Sequence, residues 1–331
     1  MNLKNLVIGI DVGSTTVKAV VTETESMQVI WSDYQRHDTK QAEKVLEFLQ
    51  IFQEKYSIEE NAARIFMTGS GAANIASLIG AKFVQEVNAV SLSVESRHED
   101  VGSVVELGGQ DAKIIIWSTD PKTGNRRKTL SMNDKCAGGT GAVIDKICAK
   151  LRISNEALGK INYRDARIHP VAGKCGVFAE TDINGLQKQG VPADELMASL
   201  FSAIVQQNLS VLTRGNTLTP RVLLLGGPNT FIPAMIDAWK TSIPKVWAER
   251  GLDFDGVDNP EDLIIVPAHA ELYAAWGCVL YGLAEPVNTG IYQGQTRLKD
   301  FILGGRSNKL QAGVSAPGLV QDADELKTFI G

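Results

Sequence analysis

Leu6-Val7-Ile8-Gly9-Ile10-Asp11-Val12-Gly13-Ser14-Thr15-Thr16-Val17-Lys18-Ala19-Val20-Val21 decides the fold, because the chain carries a second version of it. The run reads as a strand, a tight glycine turn and a strand. About 95 residues later comes Val104-Val105-Glu106-Leu107-Gly108-Gly109-Gln110-Asp111-Ala112-Lys113-Ile114-Ile115-Ile116. In both runs an acid is followed two positions on by glycine and seven positions on by lysine, so Asp11, Gly13 and Lys18 answer to Glu106, Gly108 and Lys113. Such self-similarity predicts two copies of one supersecondary unit. The first run is neither a Walker A loop, which ends in Gly-Lys-Ser/Thr, nor a Gly-x-Gly-x-x-Gly fingerprint. Its turn can still cradle phosphate, since Gly13 permits close backbone approach and the Ser14, Thr15 and Thr16 hydroxyls can donate. Asp11, ending a buried strand, suits a magnesium ion held through its waters. Taken alone the loop also fits a plain hairpin with polar turn residues. The repeat favours nucleotide, with the two loops facing each other across a cleft.

Between the loops, Ala42 to Lys55 has an amphipathic helical period, and Ile65 to Gly71 reads as a strand ending in a glycine turn. A short helix over 72–79, a brief strand over 82–84 and a helix over 88–95 follow. This alternation is α/β. Glu86 either faces the cleft or is a solvated or capping carboxylate at the helix it leads into. Residues 120–128 read as a hairpin tip, and His169, before Pro170, as a loop residue. Asp194 to Leu212 reads as one long helix. Arg221 to Leu225 is a buried strand ending in Gly226-Gly227-Pro228, where a purine can lie against bare backbone, with a helix beginning by about Ile232. A plain strand-to-helix turn also fits. A strand over 264–267 and a small-residue helix over 270–282 complete the pattern, and Cys148 and Cys278 read as core. Beyond Glu285 the composition is that of turns or a linker, with a short helix hinted over 323–330.

The remaining chemistry lies in Asn133-Asp134-Lys135-Cys136-Ala137-Gly138-Gly139-Thr140-Gly141 and Gly173-Lys174-Cys175-Gly176-Val177-Phe178. Apolar residues at 143, 144, 147, 148 and 151 predict a helix just after Cys136. The N–H groups and dipole at its start favour a thiolate. Two such thiolates are half the ligand set of a cubane iron–sulfur cluster, and an isologous dimer presents each of them twice. Two buried structural thiols, or half a zinc site, satisfy the same spacing.

With 331 residues the chain is long enough for two sizeable cores. A net charge of −5 argues against a nucleic-acid partner. No apolar run approaches the ~20 residues that span a bilayer. An acid at position 11 interrupts the N-terminal apolar run too early for a signal peptide. Four irregularly spaced cysteines are no secreted disulfide framework, so a cytoplasmic location is expected.

Assembled in order, these motifs resemble the ATP-dependent activators of 2-hydroxyacyl-CoA dehydratases and the ATPase components of benzoyl-CoA reductase, in the superfamily of actin, Hsp70 and sugar kinases. The likeness covers roughly residues 6–284, and its cysteine motifs are absent from the kinases and chaperones. It implies two RNase H-like domains with a nucleotide cleft between them: residues 1–100 plus about 265–285, residues 101–264, and a tail or linker over 286–331. It implies an anaerobic homodimer sharing one [4Fe-4S] cluster, ligated by Cys136 and Cys175 of each subunit. ATP and ADP with Mg2+ would drive domain movement. The partner would be a dehydratase-like protein or reductase, with ferredoxin or flavodoxin as donor. By position, Asp11 would organise magnesium, while Ser14, Thr15, Thr16 and Lys18 contact phosphates. Glu106, Gly108, Gly109 and Gln110 would form the second loop, with Gln110 near the attacking water. Thr140 and Gly141 would line the nucleotide side of the cysteine helix, and Gly226 and Gly227 the adenosine side.

Three positions depart from the pattern. Glu106 stands where the family has Asp, Gly-Gly-Pro-Asn replaces Gly-Gly-Val-Ala, and the usual His after Glu86 is missing. These differences and the tail look like a longer, multi-domain branch, of which this chain would be the leading portion. The rival enzyme on the same fold is a small-molecule kinase. The non-enzymatic rival is a nucleotide-sensing scaffold.

Overall fold

The structure, a computed structural model, describes residues 5–120, 122–133, 137–173, 175–252, 254 and 256–311. In the first lobe β1 (Leu6–Val12) pairs antiparallel with β2 (Thr16–Glu23), and β2 with β3 (Val29–Arg36). After α1 (Gln41–Tyr56), β4 (Arg64–Thr68) runs parallel to β1. After α2 (Ala72–Ile79), β5 (Lys82–Phe83) runs parallel to β4. The sheet order is β3-β2-β1-β4-β5.

The helix α3 (Glu86–Arg97) then leads to β6 (Ser103–Leu107), β7 (Ala112–Thr119) and β8 (Arg126–Asn133), which form a second antiparallel meander. Helices α4 (Gly141–Leu151), α5 (Asn155–Leu158), α6 (Gly176–Lys188) and α7 (Ala193–Gln207) follow, the last extended by a π-helical turn over Asn208–Leu212. Next come β9 (Val222–Leu225), α8 (Gly227–Phe231), α9 (Pro233–Glu249), β10 (Ile264–Ile265), α10 (Tyr273–Ala284) and α11 (Thr296–Gln311). The second sheet runs β8-β7-β6-β9-β10, the same plan as the first. The duplicated motif is therefore a duplicated hairpin. Asp11 stands opposite Lys18 in one register, and Glu106 opposite Lys113 in the other. Both turns close with the same bond, Gly13 N–H to Thr16 O and Gly108 N–H to Asp111 O, each 2.9 Å.

Each sheet has its own core. Ile8, Ile10, Phe48, Phe52 and Ile65 fill the first, while Leu107, Ile114, Phe201, Leu224 and Trp239 fill the second. Between the sheets lie α3 and α10. Val90 and Val94 of α3 pack with Val104 and Ile115, whereas Ala275 and Val279 of α10 pack with Val7 and Phe66. Glycine makes this spine close: a Cβ on Gly277 would lie 1.7 Å from the Ala89 carbonyl oxygen, and one on Gly9 would lie 1.9 Å from that of Ala275.

The expectation of a tail or linker beyond 285 needs correction over its described part. Tyr292 and Leu298 are buried in the first core, and α11 packs against α1 and α2. Gly304-Gly305 reads as linker composition but sits inside that helix. The helix hinted over 323–330 lies outside the described residues. A helix also begins earlier than expected after β9, at Gly227. Cys278 is fully buried, as core should be, while Cys148 is half-buried against the second core.

Candidate nucleotide cleft and cysteine segments

A cavity of about 260 Å³ lies where the two hairpin turns meet. Gly13, Ser14, Thr15, Thr16 and Lys18 form its first wall; Glu106, Gly108, Gly109 and Gly141 form the opposite one, and Gly226 and Gly227 an end. The turns are close: a Cβ on Gly109 would lie 2.4 Å from the Thr15 hydroxyl oxygen and 2.8 Å from that of Ser14. The first turn is braced from behind, where the Gln41 side chain donates to the Gly13 carbonyl at 3.0 Å.

Asp11 sits behind this wall, 2% exposed, with Oδ2 2.7 Å from Lys18 Nζ. Burial pulls the Lys18 ammonium down, but Asp11, with Tyr34 and Glu106, together hold the lysine above its ordinary range. Asp11 Oδ1, Ser14 Oγ and Glu106 Oε2 are buried with no hydrogen-bond partner among the described residues. Buried polar atoms are normally satisfied; Glu106 Oε2 has only an ion pair with Lys113 at 3.4 Å, and Asp11 Oδ1 and Ser14 Oγ stand beside the cavity as two orphans, the place for a polar ligand. They fit a hydrated magnesium ion and phosphate oxygens. Among the described residues no three His, Cys, Asp or Glu side chains form a ready metal cage.

The two lysines of the repeat have diverged. Lys18 has one carboxylate partner and lines the cavity. Lys113, 1% exposed, is surrounded by Asp111 at 2.6 Å, Glu86 at 2.7 Å and Glu106 at 3.4 Å. Burial opposes its charge, yet Glu106, Glu86 and Asp111 together raise it well above the ordinary lysine range. Burial also pushes the carboxyls up: Glu86 to about 7, and Glu106 in the same direction.

Two expected site residues stand elsewhere. Gln110, expected near an attacking water, is exposed and is not among the residues that line the cavity. Thr140 is fully buried behind the second loop rather than lining the cavity, and its hydroxyl donates to the Gly109 carbonyl at 2.9 Å. Sequence reasoning missed Asp111, Tyr34, Arg36 and Asp145 in the cavity wall and left the side of Glu86 open. Arg36 of β3 makes a forked pair with Asp145 of α4, at 2.8 and 2.9 Å. Tyr34 packs on Phe231 at 5.2 Å, so two side chains of β3 reach across to the second lobe.

The second loop is bonded directly to α4. Gly141 N–H donates to Gly108 O at 3.0 Å, and Ala142 N–H to Gly109 O at 2.6 Å. Cys136 and its neighbours Asp134 and Lys135 lie outside the described residues. Cys175 is half-buried at the extended N-cap of α6. The two cysteine segments converge there, since a Cβ on Gly176 would lie 3.0 Å from Gly138 Cα. Just beyond, the large apolar side chains of Val177 and Phe178 are 66% and 63% exposed.

Two RNase H-like lobes with a cleft lined by glycines and hydroxyls between them define the fold class that includes actin, Hsp70 and sugar kinases. Within it the chain belongs to the BadF/BadG/BcrA/BcrD ATPase family, whose model matches residues 8–246. It is 24% identical to the 2-hydroxyisocaproyl-CoA dehydratase activator of Clostridioides difficile, over 84% of this chain and 95% of that protein. It is 22% identical to the (R)-2-hydroxyglutaryl-CoA dehydratase activating ATPase of Acidaminococcus fermentans, over 66% of this chain and 82% of that one. The solved activator of the 2-hydroxyisocaproyl-CoA dehydratase from Clostridium difficile, with bound ADPNP, superposes at TM-score 0.66. That match covers 96% of this chain and 100% of the other at 20% identity, a likeness of fold. Among the described residues no helix is long and apolar enough to cross a membrane.

Proposed function

We propose that the protein is an ATP-hydrolysing reductive activator. Two copies pool Cys136 and Cys175 around one [4Fe-4S] cluster and pass a low-potential electron to a 2-hydroxyacyl-CoA dehydratase or a related reductase. The observation that carries this reading is the bonding of the Gly108-Gly109 carbonyls to the start of α4, the helix that follows the Cys136 segment. A shift of the phosphate loop must then move the backbone next to Cys136. The described half of the ligand set fits a cluster: Cys175 is a partly accessible thiol at a helix N-terminus, where negative charge is favoured. When bound, the cluster supplies one-electron reduction.

The chain's own residues do the rest. Ser14, Thr15, Thr16 and Lys18 bind phosphates from one side and the Gly108-Gly109 backbone from the other. Asp11 orients the hydrated magnesium. Gly226 and Gly227 leave room for the nucleoside. Because little covalent chemistry falls to the protein in phosphoryl transfer, positioning and electrostatics carry catalysis. Nucleotide contacts made in one lobe arrangement and not the other bias a two-state hinge across α3 and α10. The homodimer, the donor (ferredoxin or flavodoxin) and the acceptor belong to the same proposal.

The test is Cys136→Ser and Cys175→Ser, each compared with the parent in anaerobic preparations. Each variant should lose iron and electron transfer to an acceptor while still hydrolysing ATP. A colourless, iron-free parent that hydrolyses ATP would remove the redox half.

A further inference from the structure

Two side chains grip the first hairpin turn from outside the cleft, and both hold the same carbonyl. The Gly13 oxygen accepts from the Gln41 amide at 3.0 Å and from His37 Nε2 at 3.2 Å, which occupies both of its lone pairs. We propose, resting on the nucleotide-binding reading, that His37 and Gln41 are positioning residues that turn the Gly13–Ser14 peptide so that the Ser14 N–H faces a nucleotide phosphate. Gly13 and Ser14 line the cavity, whereas neither His37 nor Gln41 is among the lining residues. A trans peptide points its N–H opposite to its carbonyl, and no cis bond occurs among the described residues. With the carbonyl drawn outward, the Ser14 N–H is aimed inward, and among the described residues it donates to no other group.

Packing alone does not account for these residues. His37 is 5% exposed, and its Nδ1 is buried with no hydrogen-bond partner among the described residues. The carbonyl can only accept, so the ring proton sits on Nε2 and Nδ1 is left a bare acceptor. A leucine would fill the same space without stranding a polar atom. The backbone that delivers the two donors is strained as well. Asp38 and Thr39 have φ of 46° and 68°, the left-handed region, where a β-branched residue is an outlier. That turn is closed by the Lys40 N–H on the His37 carbonyl at 2.7 Å, and it swings the chain from β3 into α1. It thereby brings residues 37 and 41 to one oxygen. Gln41 is held in place by the start of α2, where a Cβ on Gly71 would lie 2.8 Å from its Cδ.

The electrostatic reason is the sign of the peptide dipole. Turned over, the same peptide would present its carbonyl oxygen to the phosphate and repel it. Gly13 lacks a Cβ and permits either orientation, so the choice falls to the groups behind it. A backbone N–H fixed in advance at an anion's position stabilises the charge with no reorganisation on binding. The His37 N–H also donates to the Thr15 carbonyl at 3.2 Å, so a single residue holds the turn at two points. It directly follows Arg36, whose fork to Asp145 crosses the cleft, so the phosphate grip and the cross-lobe tie share one strand end.

The test measures ADP affinity by calorimetry and adenosine affinity by ligand-observed NMR, since adenosine shares the nucleoside but carries no phosphate. His37→Leu alone should weaken ADP by about 3-fold, because Gln41 still holds the carbonyl. His37→Leu combined with Gln41→Leu should weaken it by about 10-fold or more, the loss of one hydrogen bond to a charged group. Adenosine affinity should stay within about 2-fold, and the ligand-free Tm within about 3 °C. His37→Gln puts an amide N–H near the place of Nε2, so in the Gln41→Leu background it should recover ADP affinity to within about 3-fold of the parent. A parent that binds neither ADP nor ATP overturns the nucleotide reading and this inference with it. A parent that binds ADP, paired with a double leucine variant of parental ADP affinity, overturns the inference alone. Equal losses for ADP and adenosine, or no recovery with His37→Gln, would assign the pair to packing and overturn it too.

Discussion

Gly277→Ala tests the spine on which both lobes are mounted. The added Cβ would meet the Ala89 carbonyl oxygen at 1.7 Å, its carbon at 2.3 Å and its Cα at 2.8 Å. Carbon atoms pack favourably at about 3.5–4 Å, so α10 and α3 would have to separate by roughly 1.5–2 Å. Every obstructing atom is backbone, and no rotamer change relieves the clash. Overpacking of a core costs about 1–3 kcal/mol, and this site belongs at or above the upper end. Replacing a helical glycine returns about 1 kcal/mol of helix propensity, leaving a net loss of at least about 2 kcal/mol. At about 1.5 °C per kcal/mol for a 331-residue chain, Tm should fall by about 3 °C or more. Gly304→Ala is the control: nothing lies within 4 Å of its Cβ position in α11, so it should gain about 0.5–1 kcal/mol. Thermal unfolding followed by circular dichroism, with and without ADP, reads both. Nucleotide stabilisation should shrink in Gly277→Ala, since parting the helices disturbs both walls of the cleft. A Tm within about 1 °C of the parent, with undiminished ADP stabilisation, would refute the close-packed spine.

Asp11→Asn should leave the fold standing, because the amide can still accept from Lys18, yet lower ATP turnover on the order of 100-fold when assayed over a magnesium series. Arg36→Ala breaks a partly exposed ion pair, so stability should change by less than about 1 kcal/mol. The cross-cleft tie should nevertheless be felt kinetically, with nucleotide release faster by up to about 5-fold in stopped flow, and with Arg36→Asp plus Asp145→Arg restoring it. Glu86 carries its folded pKa above the unfolded value, so the folded state binds the extra proton. Its contribution therefore turns unfavourable as pH rises from about 4.5 to about 7, with a slope of up to about 1.4 kcal/mol per pH unit; denaturant titrations of Glu86→Gln should show a flatter profile. Phe178→Glu should reduce self-association and iron content together in sedimentation and metal assays, without lowering Tm by more than about 1 °C.

The duplicated loops were legible because the acid-to-lysine spacing is itself the hairpin register, Asp11 against Lys18 and Glu106 against Lys113. The helix after Cys136 was legible from its apolar period, and α4 buries Val143, Ile144 and Ile147 as that period requires. The side of Glu86 was not, because an isolated glutamate at a helix start has the same local pattern whether it caps, is solvated or meets a lysine 27 residues later. Tyr34 and Arg36 lie on the edge strand β3, whose mixed polar pattern carries no mark of the cleft beside it. Their cross-lobe partners, Phe231 and Asp145, are set by tertiary placement alone. Of the neighbours Gln110 and Asp111, only Asp111 lines the cavity, a choice that spacing along the turn does not encode. In α11 the helix is imposed by packing of Leu298 and its neighbours on α1 and α2, against the local preference of Gly304-Gly305.

Iron and acid-labile sulfide per chain, determined on strictly anaerobic protein of known oligomeric state, bear most directly on a centre held in common by two subunits. The account predicts about two of each per chain in a dimer, which is one cubane between two subunits. Protein that hydrolyses ATP yet carries no iron, or that holds about four irons per chain as a monomer, would contradict it.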